Sequence, residues 1–279
     1  MKSIAKRIID GLGSHYSTGE VAALSRIIAI EMLGIPQTTF FLKDDVALTA
    51  AQEALLSDAL ERLKKHEPIQ YIQGYCDFCG FRFKVTPATL IPRPETSELV
   101  EWIASDNRGT AVDILDIGSG SGCIAVSLAR KLPQSKITAW DISADALAVA
   151  AENSKTNGCA VTFEQVDILT YRPTNKQYDV IVSNPPYIKE NEKVDMEANV
   201  LDWEPRTALF VPDCDPLLFY RTIATDGKTM LKHGGTLFFE INRAHGKETM
   251  ELLASLGYAG IELRKDFAGN DRMIKATWP

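Results

Sequence analysis

The sequence predicts an α/β fold: a mostly parallel sheet ending in an antiparallel hairpin, preceded by a small N-terminal helical bundle and a hairpin linker. Three observations carry this. Helical periodicity fills the chain up to about Glu67; apolar runs alternate with helical stretches from Val112 onward; and the last two strand-like segments, GIELRKDF and RMIKATWP, are separated only by the turn sequence AGND.

In chain order, STGEVAALSRIIAIEMLGI opens on a Ser17-x-x-Glu20 capping box and carries Leu24, Ile27, Ile28 and Met32 on one face. A second box, Thr49-x-x-Gln52, opens TAAQEALLSDALERLKKH, where Leu55, Leu56, Ala59, Leu60 and Leu63 are expected to form the buried stripe. FRFKVTPATLIPRPETSELVEWIAS then changes to period-two alternation at Phe81, Phe83 and Val85 and turns at prolines into another helix. Pro94 suits the first turn of that helix, and Glu95 and Glu98 suit its positive end. From AVDILDI on, strands (KITAWDI, VTFEQV, YDVIVS, TLFFEI) alternate with helices (CIAVSLARKL, ADALAVAAENSKTNG, PLLFYRTIATDGKTMLKHGG, KETMELLASLGY), the order of a parallel sheet covered on both faces. The expected domains are a helical bundle over 1–75, a hairpin linker over 76–92 and the sheet domain over 93–279.

Composition excludes several classes. Of 279 residues 45% are hydrophobic and 24% charged, and 30 Lys and Arg stand against 37 Asp and Glu, a net charge of -7. No general attraction to nucleic acid follows from that balance. The five cysteines are odd in number and follow no disulfide-framework spacing, which suits a reducing cytoplasm. MKSIAKRIIDGLGSHY has no secretory h-region, and no run of about 18 apolar residues occurs, so neither export nor membrane insertion is expected. Cys76-x-x-Cys79 is half a zinc site with no second half, and the four histidines are scattered; neither a metal nor a Ser-His-Asp hydrolase is expected.

The first strand of the sheet ends in Asp116-Ile117-Gly118-Ser119-Gly120-Ser121-Gly122. Glycines there let the backbone turn sharply and approach a ligand. The pattern departs from G-x-G-x-x-G/A at Cys123, and a carboxylate at Asp116 is poorly placed beside a pyrophosphate. S-Adenosylmethionine, with a cationic ammonium and sulfonium and no phosphate, suits that charge. On the second strand Asp141 stands about 20 residues beyond the glycines, where an acid accepts from both ribose hydroxyls. On the third, Asp167 and Ile168 reach the same edge and suit an adenine amino group and an apolar wall, although Ile168 reads equally well as core; Asp116 and Asp141 could also be helix N-caps, a reading their shared strand-end position disfavours.

YDVIVS, the fourth strand, delivers Asn184-Pro185-Pro186-Tyr187 to that edge. Asn184 offers a carbonyl acceptor, Pro185 a backbone carbonyl, and the prolines fix their own φ angles. Two rigid acceptors can hold one planar NH2 group, orient its delocalised lone pair and stabilise the positive charge that develops during methyl transfer; Tyr187 can lay its ring on the planar group. No strong base and no covalent enzyme intermediate are required.

Together these motifs resemble the PrmC (HemK) family, the protein N5-glutamine methyltransferases acting on class 1 peptide chain release factors. The tetrapeptide is shared with amino methyltransferases of nucleic acid; the specific likeness lies in EPIQYIQG (67 to 74), TPATLIPRPETSELV (86 to 100) and WEPRTALF (203 to 210). The resemblance implies the class I S-adenosylmethionine-dependent methyltransferase fold and a donor site at Gly118, Ser119, Gly120, Ser121 and Gly122, Asp141, Ile168 and Asn184. It implies a glutamine site at Asn184, Pro185, Pro186 and Tyr187, S-adenosylhomocysteine as product, and a helical N-terminal domain that helps dock the release factor. A cytoplasmic monomer without metal or direct nucleic-acid substrate is expected. Arg93, Glu95, Glu204 and Arg206 suit a substrate channel or structural ion pairs equally. Two rival readings stay open: an amino methyltransferase of adenine N6 or guanine N2 in nucleic acid, and a noncatalytic release-factor-binding scaffold.

Overall fold

A computed structural model describes residues 3–42, 46–174 and 176–279. The chain divides into two compact units, Met1–Gly74 with Ala198–Trp203, and Tyr75–Glu197 with Glu204–Pro279.

The first unit holds α1 (Ile4–Leu12), α2 (Thr18–Arg26), α3 (Gln37–Leu42), α4 (Ala50–Leu63) and α5 (Ile69–Gln73). Both capping boxes form: Ser17 Oγ accepts from the Glu20 N–H while Glu20 accepts from the Ser17 N–H, and Thr49 and Gln52 repeat the pattern. Beyond α2 the helix widens into a π-helical stretch over Ile27–Met32. Ile8, Leu12, Ile28, Leu56 and Leu63 are buried together; each such side chain contributes about 1.5–3 kcal/mol of hydrophobic stabilisation. Leu55 departs from the expected stripe and is 39% exposed. It is one residue from Leu56, so on an α-helix it sits about 100° round from it. The Trp203 indole donates to the Lys65 carbonyl at 3.1 Å, which explains why 198–203 belongs to this unit.

The second unit opens with a hairpin, β1 (Tyr75–Phe78) and β2 (Phe81–Lys84), turning through Cys79 and Gly80 at positive φ. Next come α6 (Pro94–Asp106, with Pro94 in its first turn), β3 (Asp113–Ile117), α7 (Cys123–Lys131), β4 (Lys136–Asp141), α8 (Ala144–Thr156), β5 (Thr162–Gln165) and β6 (Tyr178–Ser183). A less regular stretch holds β7 (Ile188–Lys189), α9 (Ala198–Leu201, in the first unit), α10 (Arg206–Leu209) and β8 (Phe210–Val211), with β7 and β8 paired in parallel. The chain ends with α11 (Leu218–Met230), β9 (Leu231–Glu240), α12 (Gly246–Ser255), β10 (Ala259–Lys265) and β11 (Asp271–Thr277).

The seven-stranded sheet runs β10-β11-β9-β6-β3-β4-β5, with β11 antiparallel to β9 and to β10 and the rest parallel. Alternate residues of a strand face opposite ways, and on β6 Val180 and Val182 join one core with Trp102 and Ile103 of α6 while Ile181 joins the other with Tyr220 and Ile223 of α11. Burial on both faces is why YDVIVS reads as a nearly continuous apolar run. β9 starts earlier than TLFFEI suggests: Leu231 already pairs with Tyr178, and a bulge intervenes before Thr236 meets Val180. At Gly235 a Cβ would lie 2.9 Å from the Lys232 carbonyl oxygen and 3.1 Å from that of Asp179, so only glycine fits the bulge.

Candidate active site

Parallel register brings the motifs to one edge. Ile117 of β3 pairs with Ser183 of β6, and Ser183 with Phe239 of β9. Gly118, Asn184 and Glu240 therefore leave their strands side by side at the switch point between β3 and β6, where open parallel sheets bind ligands. The Ser183 hydroxyl locks the pairing by donating to the Ile117 carbonyl at 2.7 Å.

The glycine loop is held from below. The Gly118 and Ser119 N–H groups both donate to the Trp140 carbonyl at 2.9 Å, and that of Gly122 to the Ser119 carbonyl at 2.8 Å. Gly118, Gly120 and Gly122 all have positive φ. A Cβ at Gly118 or Gly120 would meet nothing within 4 Å, whereas at Gly122 it would lie 3.0 Å from the Ala150 Cβ. The first two leave open space over the loop; the third lets α8 close on it. Asn153 of α8, buried and not singled out in the sequence, donates to the Ser121 carbonyl at 2.9 Å and exchanges hydrogen bonds with the Lys84 backbone, tying loop to hairpin.

Asp116 is wholly buried beneath the loop. Its Oδ2 accepts from the Ala125 N–H at 3.1 Å, a cap on α7, and its Oδ1 has no partner among the described residues. Desolvation above all, with the nearby charge of Asp141 adding to it and the Ala125 N–H opposing it, pushes the carboxyl up to about 7. Asp141 is half-buried and spans two elements: Oδ2 accepts from the Gly120 N–H at 2.8 Å and Oδ1 from the Ser143 N–H at 2.9 Å. Each oxygen keeps a lone pair for a further donor.

Asp167 closes its own turn, accepting from the Leu169 N–H at 2.9 Å and the Thr170 hydroxyl at 3.2 Å. Ile168 is 7% exposed and packs in the core with Trp140, while Ile142, immediately after Asp141, is 54% exposed. The apolar surface at this edge thus comes from Ile142 more than from Ile168. The exposure of Ile142 is not readable in KITAWDIS, where it looks like one more strand residue.

In the tetrapeptide, Asn184 donates through Nδ2 to Thr96 Oγ1 at 3.4 Å, and neither its Oδ1 nor the Pro185 carbonyl makes a hydrogen bond among the described residues. The Tyr187 ring packs against the core, its hydroxyl donates to Glu240 Oε1 at 3.4 Å, and its carbonyl accepts from Asn242 Nδ2 at 3.2 Å. Burial, reinforced by the charge of Glu240, raises the Tyr187 phenol well above the usual tyrosine range, so it stays protonated. Glu204 and Arg93 resolve as an ion pair at 2.5 Å, with Glu204 also accepting from the Ile91 N–H at 3.1 Å. Arg206 pairs instead with Glu190, at 3.3 Å. Glu95 lies near enough to act electrostatically on Glu240. Among the described residues no group of three or more His, Cys, Asp or Glu converges on a metal-sized site.

Comparison with known proteins gives the family of the chain. Residues 9–74 match the model of the PrmC N-terminal domain and residues 95–202 that of the methyltransferase small domain. The chain is 47% identical to a release factor glutamine methyltransferase of Bacteroides thetaiotaomicron, over 99% of this chain and 100% of that one. It is 42% identical to one of Flavobacterium psychrophilum, over 100% and 99%. A methyltransferase crystal structure from Pyrococcus furiosus superposes with a TM-score of 0.52 at 17% identity, covering 80% of this chain and 98% of that one, a likeness of fold. Near-complete alignment with these relatives, together with the sheet order, places the chain, with its class I methyltransferase fold, in the release factor glutamine methyltransferase family.

Proposed function

We propose that this chain transfers a methyl group from S-adenosylmethionine to the side-chain amide nitrogen, N5, of a glutamine in a class 1 peptide chain release factor. One observation carries the reading: Asn184 stands beside the glycine loop with its Nδ2 tied inward to Thr96, leaving Oδ1 and the neighbouring Pro185 carbonyl as two acceptors without partners among the described residues. The names of the full-length relatives supply the substrate class.

The residues at the edge fit the donor. Open space over Gly118 and Gly120, the Ser119 and Ser121 hydroxyls without partners among the described residues, and the acids Asp116 and Asp141 suit a polar cationic ligand and disfavour a phosphate. Gly118 through Gly122 would hold its amino-acid part, Asp141 its ribose hydroxyls, and Asp167, Ile168 and Ile142 its adenine. When bound, S-adenosylmethionine supplies an electrophilic methyl group on a positively charged sulfur.

The chain's own task is orientation. A glutamine amide nitrogen is a weak nucleophile because its lone pair is delocalised. Accepting both its N–H groups at Asn184 Oδ1 and the Pro185 carbonyl holds the nitrogen in line and favours the positive charge that develops on it. Pro186 stiffens the backbone, and the Tyr187 ring limits the amide plane. With its phenol held protonated, Tyr187 is no general base. The helical unit, which exposes Ile9, Phe41, Leu42 and Leu55, offers apolar surface to the protein substrate.

Labelled S-adenosylmethionine offered to release factors and to nucleic acid in parallel, with the modified residue mapped by mass spectrometry, tests the reading. Label on one glutamine, lost in a Gln-to-Ala release factor, is the expected result. Label on adenine or guanine alone, or donor binding without transfer to any release factor, would overturn it.

A further inference from the structure

We infer that Glu240, buried behind the tetrapeptide, is a positioning residue that acts through Thr96 to decide which end of the Asn184 amide faces the substrate, while its second oxygen holds Tyr187. The inference rests on the reading of Asn184 as an acceptor given above. Neither Thr96 nor Glu240 stands out in the sequence, and the two are 144 positions apart.

Thr96 Oγ1 lies 2.5 Å from Glu240 Oε2, and Asn184 Nδ2 lies 3.4 Å from the same Thr96 oxygen. Tyr187 reaches Glu240 Oε1 at 3.4 Å. One carboxyl group at the end of β9 therefore holds both polar side chains of the tetrapeptide, using a threonine from α6 as the intermediary. Thr96 and Glu240 are 2% and 1% exposed, so water does not compete for these bonds.

The two ends of an asparagine amide have nearly the same shape, so packing alone distinguishes Oδ1 from Nδ2 poorly; hydrogen-bond polarity does it. An ionised carboxylate only accepts. Thr96 must then give its single proton to Glu240, and its oxygen retains only lone pairs toward Asn184. Asn184 answers by turning Nδ2 to Thr96, which commits Oδ1 to the substrate side. A protonated Glu240 would allow the opposite sequence and present a donor where an acceptor is required.

Burial raises the Glu240 carboxyl above its ordinary range, and the groups around it decide how far the charged form is held. Thr96 and Tyr187 donate to it, and Arg272 of β11, itself tied to Asp266 at 3.1 Å and to the Ile241 carbonyl at 3.3 Å, favours the charged form. Desolvation and Glu95 of α6 oppose it, and the buried Tyr220 touches the Glu240 carbonyl rather than the carboxyl. At 3.4 Å the Asn184 and Tyr187 links are long, of the kind that tightens when substrate docks.

Three variants test the relay. Glu240→Gln keeps the volume but can donate or accept, erasing the polarity; Thr96→Val keeps the shape and removes the hydroxyl; Thr96→Ser restores it. For each, kcat and KM are measured with a release factor, donor affinity by calorimetry, and the Asn184 side-chain amide by 15N–1H NMR. Expected are a loss in kcat of about ten- to a hundredfold for Glu240→Gln and Thr96→Val, donor affinity within about twofold of wild type, and an Asn184 amide signal that splits or broadens. Thr96→Ser should return both readouts. Wild-type kcat and a single unshifted Asn184 signal in Thr96→Val and Glu240→Gln would overturn the inference. If Glu240→Gln does not fold, the Thr96→Val and Thr96→Ser pair decides. If the wild-type chain methylates no release factor, the proposed function fails while the NMR signal still reports on the relay.

Discussion

Replacing Asp116 by Asn removes a titration while keeping a carbonyl oxygen to cap Ala125. In the folded chain burial holds this carboxyl at about 7 against an ordinary 3.8. The folded state thus binds the proton more tightly than the unfolded one. The sign follows: the stabilisation is fully present below about pH 4 and is lost as pH rises through about 7. At about 1.4 kcal/mol per unit, the interval between the two values corresponds to at most about 4 kcal/mol.

Urea unfolding of wild type and Asp116→Asn at intervals between about pH 4.5 and 8 measures this directly. Glu240 is also raised by burial and destabilises with the same sign, but it cancels in the difference between the two proteins. The expected outcome is a variant that gains on wild type as pH rises, steeply between about pH 5 and 7 and levelling above that. A difference that stays constant across the range would refute the argument, because it would mean that Asp116 does not titrate in that window in the folded chain.

Asn184→Ala should lower turnover by on the order of a hundredfold, far more than it lowers donor affinity, measured as kcat against calorimetric Kd, since its main effect is loss of amide orientation. Gly122→Ala meets both a φ of 78° and an Ala150 Cβ at 3.0 Å on a helix that cannot yield cheaply, so urea unfolding should show a loss of about 2–4 kcal/mol. Gly118→Ala, with open space at its Cβ, should cost only the conformational strain, about 1–2 kcal/mol by the same measurement. Arg93→Ala leaves the Glu204 carboxylate, 1% exposed, with the Ile91 N–H as its remaining partner among the described residues; unfolding should show a loss of about 2 kcal/mol, less than for a fully buried pair because Arg93 is a third exposed.

What could be read from the sequence was local. Capping boxes are four residues long, and a strand buried on both faces shows itself as an apolar run, so Ser17, Thr49 and YDVIVS identified their elements without tertiary knowledge. Position at the carboxyl edge was equally legible for Asp141 and Asn184, because each directly ends or follows its strand. Leu55 was misread because one step along a helix carries a side chain off the apolar face. The early start of β9 was hidden because 232–235 looks like the end of a helix followed by a turn, and only pairing with β6 makes it strand. Ile168 and Ile142 could not be told apart by exposure for a related reason: which isoleucine at a strand end faces solvent depends on the neighbouring Trp140 core. Thr96, Asn153 and Glu240 carry no local signal, since their hydrogen bonds join residues far apart in the chain.

The site depends on register more than on any one motif. Gly118, Asn184 and Glu240 become neighbours because Ile117, Ser183 and Phe239 are in step, and at about 3.3 Å per residue a slip of two positions would carry Asn184 well beyond reach of Thr96 while leaving each strand's faces unchanged. Side-chain alternation forbids slips of one residue but is indifferent to slips of two, so something else must set the step. The opposite end of the sheet supplies it. Lys232, inside the β9 bulge, bridges Asp113 of β3 at 3.1 Å and Asp179 of β6 at 2.7 Å, and Asp179 also accepts from the Asp113 N–H. These contacts, with the glycine-only bulge at Gly235, index β9, β6 and β3 against one another at the end remote from the chemistry. Exposed ion pairs of this kind add little stability; their value here is positional, since they select one alignment among those that bury the core equally well, and that alignment sets Asn184 beside the donor loop.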